Sequence, residues 1–290
     1  PTFKKSIRNL PDSHDAKMRD SLKFIGVGKI LKILKDLDVD VIHNHLGWRL
    51  LPFIDILKSP VVTTLHGPLD VKYQQKVYGE FKNCHFVSIS NNQRKPLPGL
   101  NYAGTVYNGI ETEKFPFKDK IGDYLAFLGR MSPEKGPLQA IEVAKKTGLK
   151  LKMAAKIDAV DKEFFESMVR PLIDNKQIEF LGEINHETKA EFLKNALVLL
   201  APIQWEEPFG LYFVEAMACG TPVISFNRGS VPEIVENGKT GFIVNSTKEM
   251  ADVIKNIDEI KRSDCREHVE KYFSVKKMTE GYTDIYNKII

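Results

Sequence analysis

Two acidic residues, Glu207 and Glu215, stand eight positions apart in the segment EEPFGLYFVEAMACGTPVISF. The first precedes a Pro-Phe-Gly turn, and the second lies inside the apolar helix that should follow this turn. A loop that opens a helix presents free backbone N–H groups and the positive end of the helix dipole, which suits a phosphate or diphosphate. Carboxylates around it can accept hydrogen bonds from hydroxyl groups. The pattern therefore predicts a site for a sugar attached to a diphosphate.

A second candidate segment is GRMSPEKG, from Gly129 to Gly136, which directly follows the predicted strand YLAFL. Arg130 and Lys135 would lie at the carboxyl end of that strand, where a planar guanidinium and a compact ammonium both suit phosphate oxygens. The spacing differs from that of a P-loop, G-x-x-x-x-G-K. A solvated loop with two ordinary surface cations is the alternative, but the Glu207 segment favours the phosphate interpretation.

The acidic residues also have a simpler interpretation. Glu207 could be a solvated loop residue, as we expect of its neighbour Glu206, and Glu215 could be an exposed helix position. Two observations count against this. Glu215 lies among apolar residues, where a carboxylate needs a partner, and Gly210 permits close approach of a ligand to the backbone.

Three histidines follow or end predicted strands. His66 ends the strand VVTTL, where it could position or polarise a reacting group, or simply cap the strand. His43 and His45, in VIHNH, resemble a metal-binding pair, but no carboxylate or cysteine follows at ligand spacing. The Asp-x-Asp pattern in Asp36–Asp40 lies in the approach to a strand, where acidic turns are common. The sequence therefore predicts no metal site.

Composition narrows the class of protein. The chain has 290 residues, enough for two domains, with 42% hydrophobic and 28% charged residues. A net charge of +4 without a dense basic block argues against nucleic-acid binding. Three widely spaced cysteines argue against a disulfide scaffold and favour a cytoplasmic setting. No apolar run is long enough to span a membrane. No G-x-G-x-x-G follows a strand, which argues against a nicotinamide or flavin site.

Short β-rich runs alternate with helical stretches, as in βα units of parallel sheets. The polar segment Lys114–Lys120 is typical of a linker, here between two predicted doubly wound α/β domains. Ser230-Val-Pro-Glu233 is a capping-box pattern. The predicted strands are Val39–His43, Val61–Leu65, His85–Ser90, Gly104–Asn108, Tyr124–Leu128, Leu149–Ala154, Ile178–Leu181, Leu197–Ala201, Val223–Ser225 and Gly241–Val244, and the predicted helices include Lys29–Leu37, Gly136–Thr147, Asp161–Ile173 and Met278–Ile290.

Taken together, the segments GRMSPEKG, EPFGLYFVEAMACGTPVISF and RGSVPEIVENGKTGFIV resemble retaining glycosyltransferases of family 4. The resemblance runs from about Val39 to the C-terminus and implies the GT-B fold, with two Rossmann-like domains facing a cleft. The segments TTLHGPLD, FVSISNNQRKPLP and MAAKID are most similar to the UDP-glucose:tetrahydrobiopterin glucosyltransferase-like branch. The implied activity is metal-independent transfer of a hexose, glucose in this branch, from a UDP-sugar to a hydroxyl acceptor that the sequence does not identify.

The resemblance also implies roles for individual residues. Arg130 and Lys135 match the pair that neutralises the donor diphosphate. Glu207 matches the carboxylate that holds hydroxyls of the transferred sugar, Glu215 the one that binds the ribose, and His66 the first-domain histidine near the reacting centre. The loop bordering the nucleobase corresponds to Gly182, Glu183 and Ile184, and the turn whose backbone N–H groups face the donor corresponds to Phe209, Gly210 and Leu211.

The sequence also departs from the family pattern. The family opens with a strand, a Gly-Gly loop and a helix that help to form the acceptor side, and no Gly-Gly occurs here. We therefore expect residues 1–117 to form a first domain that is truncated at its start. Residues 118–273 would form the nucleotide-sugar domain, and residues 274–290 a helix that crosses back to the first.

Three other hypotheses remain open from the sequence alone. One is a nucleotide-sugar-binding module without catalysis, and another is a UDP-sugar epimerase on the same fold. The third is weak association with a membrane surface through the basic stretch Lys4–Arg8 and the helix Lys29–Leu37, although such stretches are more often solvated faces.

Overall fold

A computed structural model describes residues 15–290, which form two compact units. The first unit comprises the described residues up to Ser88, together with Pro96–Thr105 and Tyr282–Ile290. The second comprises Ile89–Lys95 and Val106–Gly281. The polar segment Lys114–Lys120, which the sequence suggested as a linker, lies within the second unit.

The first unit is built on a sheet of four parallel strands, in the order β1-β2-β3-β4. β2 is buried along its whole length, and two apolar clusters form the core, one around Leu51 and Phe86 and the other around Val27 and Leu50. The strands are β1 (Ile42–Asn44), β2 (Val61–Leu65), β3 (His85–Ser88) and β4 (Tyr102–Thr105).

The second unit has a sheet of six parallel strands, in the order β10-β9-β8-β5-β6-β7. β8 and β9 are buried throughout, as expected for apolar parallel strands that are covered on both faces. One continuous hydrophobic core fills this unit. The strands are β5 (Leu125–Arg130), β6 (Leu151–Lys156), β7 (Ile178–Gly182), β8 (Val198–Ala201), β9 (Val223–Phe226) and β10 (Gly241–Val244).

Side chains at the helix ends explain several boundaries. Asp15 accepts a hydrogen bond from the N–H of Met18, and Asn185 accepts one from the N–H of Thr188, so each caps the helix that follows. Gly148 ends a helix in the left-handed conformation, with φ of 72°. The α-helices are α1 (Ala16–Leu34), α2 (Lys72–Glu80), α3 (Pro137–Thr147), α4 (Lys162–Phe164), α5 (His186–Lys194), α6 (Leu211–Ala218), α7 (Val231–Ile234), α8 (Thr247–Val253), α9 (Arg262–Tyr272) and α10 (Val275–Ile289).

The last helix contributes to both units. Its residues Val275–Gly281 belong to the second unit and the rest to the first. Within the first unit, the hydroxyl of Tyr282 shares a hydrogen bond of 3.0 Å with Thr64 Oγ1 on β2. The side chain of Ile285 is buried over Gly104 on β4, where a Cβ would lie 3.0 Å from Ile285 Cδ1.

The ten predicted strands are present, with ends shifted by at most three residues. The predicted helix Asp161–Ile173 is not continuous. It breaks into a 3-10 turn, the short α4, a π-helical segment Phe165–Val169 and a second 3-10 turn, Arg170–Leu172. Pro171 disfavours a continuous α-helix through its position, because it lacks an N–H donor and its ring clashes with the preceding turn.

No helix within residues 15–290 combines the length and the apolar composition that crossing a bilayer requires. Of the two stretches that suggested a membrane-surface contact, Lys4–Arg8 lies outside the described residues. The other, Lys29–Leu37, falls mostly in the last turns of α1.

Candidate active site

The strand order of the second unit predicts where a ligand should bind. From β5 the chain moves outward to β6 and β7, then returns to place β8 on the other side of β5. Loops that leave the carboxyl ends of two such strands run in opposite directions, and the crevice between them is the usual ligand site of an open parallel sheet. Arg130 is the last residue of β5, and the segment of Glu207 follows β8. The fold thus brings the two predicted motifs to one crevice.

Lys135 and Glu207 form an ion pair in this crevice. Lys135 ends a 3-10 turn, Pro133–Lys135, and its Nζ contacts Glu207 Oε2. Gly136 allows the approach, because a Cβ at this position would collide with the carbonyl oxygen of Pro202 after β8. The two side chains are only 11% and 9% exposed. The pair is therefore shielded from water, where each charge depends on the other.

Two aromatic residues surround this pair, and sequence reasoning missed both. Lys135 Nζ lies 5.1 Å from the ring centroid of Trp205 and 4.9 Å from that of Tyr212. The Tyr212 hydroxyl donates to Glu207 Oε2 at 3.3 Å. Burial, and then the charge of Glu207, raise the pKa of Tyr212 well above its usual value, so the hydroxyl stays a neutral donor. Cation–π contacts hold the ammonium in place without neutralising it.

The turn before α6 has the geometry expected of an anion-binding loop. Gly210 adopts φ of 80°, where a side chain would be strained, and a Cβ there would also collide with the ring of Phe213. No side chain among the described residues caps α6, so the positive end of the helix faces the crevice uncompensated. Phe209 is buried against Tyr107 and Phe273 and anchors the turn, whereas Leu211 is exposed.

Glu215 lies one turn further along the same face of α6 as Tyr212, since the two are three residues apart. Its Oε1 lies 2.5 Å from Nζ of Lys189 on α5, and the side chains of Glu215 and Lys189 are 13% and 23% exposed. The sequence indicated that this carboxylate would need a partner. It gave no indication that the partner is Lys189.

The remaining predicted donor residues are more exposed. Arg130 contacts Glu134 and lies 4.0 Å from Asp158 Oδ2, with 43% of its side chain exposed. β7 ends at Gly182, which has φ of 74°, and the loop after it continues through the exposed Glu183. Ile184 is half-buried against the core.

Glu233 differs from its predicted role as part of a capping box. Its carboxylate accepts the backbone N–H groups of Asn91, at 2.7 Å, and Asn92, at 2.8 Å, and the hydroxyl of Tyr107 at 3.0 Å. Burial, and then the charge of Glu233, raise the pKa of Tyr107 to about 12. Ser230 donates its hydroxyl to the carbonyl oxygen of Phe209 instead of capping α7. The capping-box prediction was wrong because the Glu233 carboxylate binds backbone N–H groups that are distant in the chain, and not the N–H at the start of its own helix.

Glu206 also does more than face solvent. It is exposed, as predicted, but its Oε2 accepts the N–H of Gly229 at 2.8 Å and the side-chain amide of Asn92 at 3.2 Å. Together with Glu233, it fastens the segment Ile89–Lys95 within the second unit.

His66 belongs to the first unit, where it follows β2 and is exposed. Its Nε2 lies 2.8 Å from Nδ1 of His45. His43 lies 2.7 Å from Thr64 Oγ1 through Nε2 and 2.6 Å from the hydroxyl of Tyr286 through Nδ1. Burial is the main cause that lowers the pKa of all three histidines, that of His43 to about 4. Among residues 15–290, no three His, Cys, Asp or Glu side chains are grouped to hold a metal ion.

Comparison with known proteins shows that this chain is a glycosyltransferase. The chain belongs to the family described as glycosyl transferases group 1, whose model matches residues 110–273. Its two parallel-sheet, Rossmann-like domains are those of the GT-B fold, which confirms the predicted fold class.

Particular relatives span most of the chain. An uncharacterized glycosyltransferase of Methanocaldococcus jannaschii is 25% identical, covering 98% of this chain and 85% of that protein. An uncharacterized 41.2 kDa protein in the cps region of Klebsiella pneumoniae is 32% identical, covering 89% and 81% respectively. Among solved structures, HepE of Anabaena in complex with UDP and glucose has a TM-score of 0.79 at 17% identity, covering 91% of this chain and 81% of that one.

Proposed function

We propose that this glycosyltransferase moves a hexose, glucose in the first instance, from a UDP-sugar to an acceptor hydroxyl with retention at the anomeric carbon. The observation that supports this most directly is the shielded Lys135–Glu207 pair beside the uncapped start of α6. A cation and free N–H groups suit a diphosphate, and an adjacent carboxylate suits sugar hydroxyls. The similar fold of HepE, which was crystallised with UDP and glucose, supports the choice of donor.

Binding of the donor would exchange partners within the crevice. In the free protein Glu207 neutralises Lys135, and Tyr212 donates to the same carboxylate. A diphosphate would take over the ammonium of Lys135, and Glu207 would then accept hydroxyl groups of the sugar. Arg130 can turn from Glu134 toward the phosphates, because both side chains reach solvent. Glu215 would accept hydroxyls of the ribose, and the loop Gly182–Ile184 would border the base.

The chemical step needs stabilisation of negative charge more than it needs a base. As the bond between the anomeric carbon and the diphosphate oxygen breaks, charge develops on UDP, and Lys135, Arg130 and the α6 N–H groups stabilise it. The acceptor oxygen then bonds to the anomeric carbon on the same face. Its proton passes to the departing phosphate oxygen, so no side-chain base is assigned. His66, with its lowered pKa, would serve as a neutral group that positions a reacting atom.

These cations supply the charge that a divalent metal would otherwise provide, so we propose that transfer is independent of metal ions. Activity should therefore be unchanged when EDTA is added. Loss of activity on chelation, restored by Mg²⁺, would overturn this part of the proposal.

The donor assignment is tested by calorimetry with UDP. Lys135→Ala should weaken UDP binding about 100-fold, since a shielded contact between a cation and a phosphate is lost. Lys248→Ala is the matched control, because Lys248 is 84% exposed and, among residues 15–290, pairs only with Asp252 on its own helix. Equal UDP affinity in the wild type and in Lys135→Ala would contradict the diphosphate assignment.

The reaction class is tested by incubating the protein with UDP-glucose and a panel of hydroxyl acceptors, and analysing the products by NMR. An α-linked product together with free UDP is expected, since the donor is α-linked. Conversion of the sugar while it is still attached to UDP would identify an epimerase instead. UDP-glucose binding without any turnover would favour a binding module.

A further inference from the structure

The pair formed by Lys189 and Glu215 is unlike the other described ion pair of α5, Lys194–Glu191. It joins two different helices, α5 and α6, whereas most ion pairs in the described chain connect residues three or four positions apart. Helix periodicity alone does not create such a contact, so tertiary packing holds it. Most of α6 is buried, including the residues on both sides of Glu215, Val214 and Ala216. A carboxylate in this setting needs a compensating charge.

The geometry leaves one carboxylate oxygen for a ligand. Lys189 Nζ contacts Oε1 of Glu215 at 2.5 Å. No described residue donates a hydrogen bond to Oε2. Lys189 is itself held in place, because its Nζ lies 5.8 Å from the ring centroid of the buried Phe115. The carboxylate therefore has a fixed orientation, with one oxygen occupied and the other able to accept from hydroxyl groups.

We propose that Lys189 is a positioning residue that sets the preference of this protein for ribonucleotides. By fixing the orientation of the Glu215 carboxylate through Oε1, it lets Oε2 accept hydrogen bonds from the vicinal hydroxyls of the donor ribose. This inference rests on the proposed function, which places the ribose at Glu215. A site built to bind a hydroxyl group discriminates strongly against an analogue that lacks it, because its polar group is then left unpaired.

The test compares UDP with 2′-deoxy-UDP and 3′-deoxy-UDP by calorimetry. The wild type should bind UDP at least tenfold more tightly than one or both of the deoxy analogues, on the order of the loss of one hydrogen bond to a charged group. Lys189→Met should weaken UDP binding by a similar factor and leave binding of that analogue nearly unchanged, so that the ratio of affinities falls toward one. Lys189→Arg should restore the ratio, because the guanidinium can also donate to Oε1.

Lys194→Met is the matched control. Lys194 lies on the same helix and is 22% exposed, close to the 23% of Lys189, but it pairs with Glu191, which is 58% exposed. Its replacement should leave the ratio of affinities unchanged. If Lys189→Met keeps the wild-type ratio, or if Lys194→Met lowers it equally, the proposal is wrong.

A merely structural clamp between α5 and α6 gives a different result. In that case Lys189→Met would lower the melting temperature and affect UDP and its deoxy analogues alike. If Lys189→Met fails to fold, Glu215→Gln and the double variant Lys189→Met/Glu215→Gln replace it, since neither leaves an unpaired carboxylate. Both should show the lost ratio, and a wild-type ratio in either would overturn the proposal. Absence of UDP binding in the wild type would instead refute the proposed function itself.

Discussion

The two units place titratable side chains at the carboxyl ends of parallel strands in opposite electrostatic states. In the first unit, His43, His45 and His66 contact one another and neutral hydroxyls, and burial lowers the pKa of each. In the second, Lys135 and Glu207 form an ion pair of opposite charges. What differs is whether the neighbouring groups favour the neutral or the charged form.

This difference determines what each group can do for a ligand. A histidine cluster with lowered pKa values can donate and accept hydrogen bonds near neutral pH, but it cannot supply full positive charge. A paired lysine can supply that positive charge to a ligand, because a phosphate can replace the carboxylate as its partner without transfer of a proton. The proposed recognition of a diphosphate therefore depends on residues of the second unit.

The sharpest test of the contrast removes one charge from the shielded pair. Lys135→Met should lower the free energy of unfolding by about 3–5 kcal/mol, because Glu207 is left as a buried charge without its partner. Chemical denaturation would measure this loss. The double variant Lys135→Met/Glu207→Gln should recover most of it, since no isolated charge remains. A double variant as unstable as Lys135→Met would show that packing of the lysine stem, and not charge, holds this region together.

The second test uses pH to examine the neutral histidines. Above pH ~6.5, the ordinary pKa of histidine, neither the folded nor the unfolded state binds a proton at His43. Between this value and about 4, the unfolded state binds one and the folded state does not. The free energy of unfolding should therefore fall as the pH is lowered from 6.5 toward 4.

Replacement of His43 should reduce the number of protons taken up on unfolding in this pH range by up to about one, and with it the slope of the unfolding free energy against pH. His43→Gln is a suitable variant, because its amide can still reach a hydroxyl such as that of Thr64. His268 also has a pKa lowered mainly by burial, so part of the dependence should remain. The measurement is the denaturation midpoint at several pH values. An unchanged slope in His43→Gln would mean that His43 is protonated in the folded protein well above pH 4.

The sequence predicted the fold well because its strongest signals are local. Runs such as VVTTL and VLLAP are apolar, short and bounded by turn residues, and both appear as strands within a residue of the predicted ends. The failures arose where a distant group decided a local structure. Glu233 has the spacing of a capping box, yet it binds the N–H groups of Asn91 and Asn92, more than 140 positions away.

The site shows the same limit. Residue types alone identified Lys135 and Glu207 as candidates, but they did not predict the contact between the two side chains. That contact arises because β5 and β8 are neighbours in the sheet, although β6 and β7 lie between them in the chain. Tyr212 and Lys189 were missed because an aromatic residue or a lysine on a helix has many common roles. Only the packing of α5 and α6 around the crevice distinguishes these two from other surface residues.

The smallest expected effect on stability comes from the second cation of the same crevice, Arg130. Its pair with Glu134 is 43% and 34% exposed, so water screens both charges, and such surface pairs contribute about 0–1 kcal/mol. Arg130→Met should therefore change the free energy of unfolding by less than about 1 kcal/mol, although it should still weaken UDP binding. Measured beside Lys135→Met, it separates stability from ligand binding within one site. If Arg130→Met were as unstable as Lys135→Met, exposure to water would not be what distinguishes the two pairs. The contrast between shielded and solvated charge would then have to be abandoned.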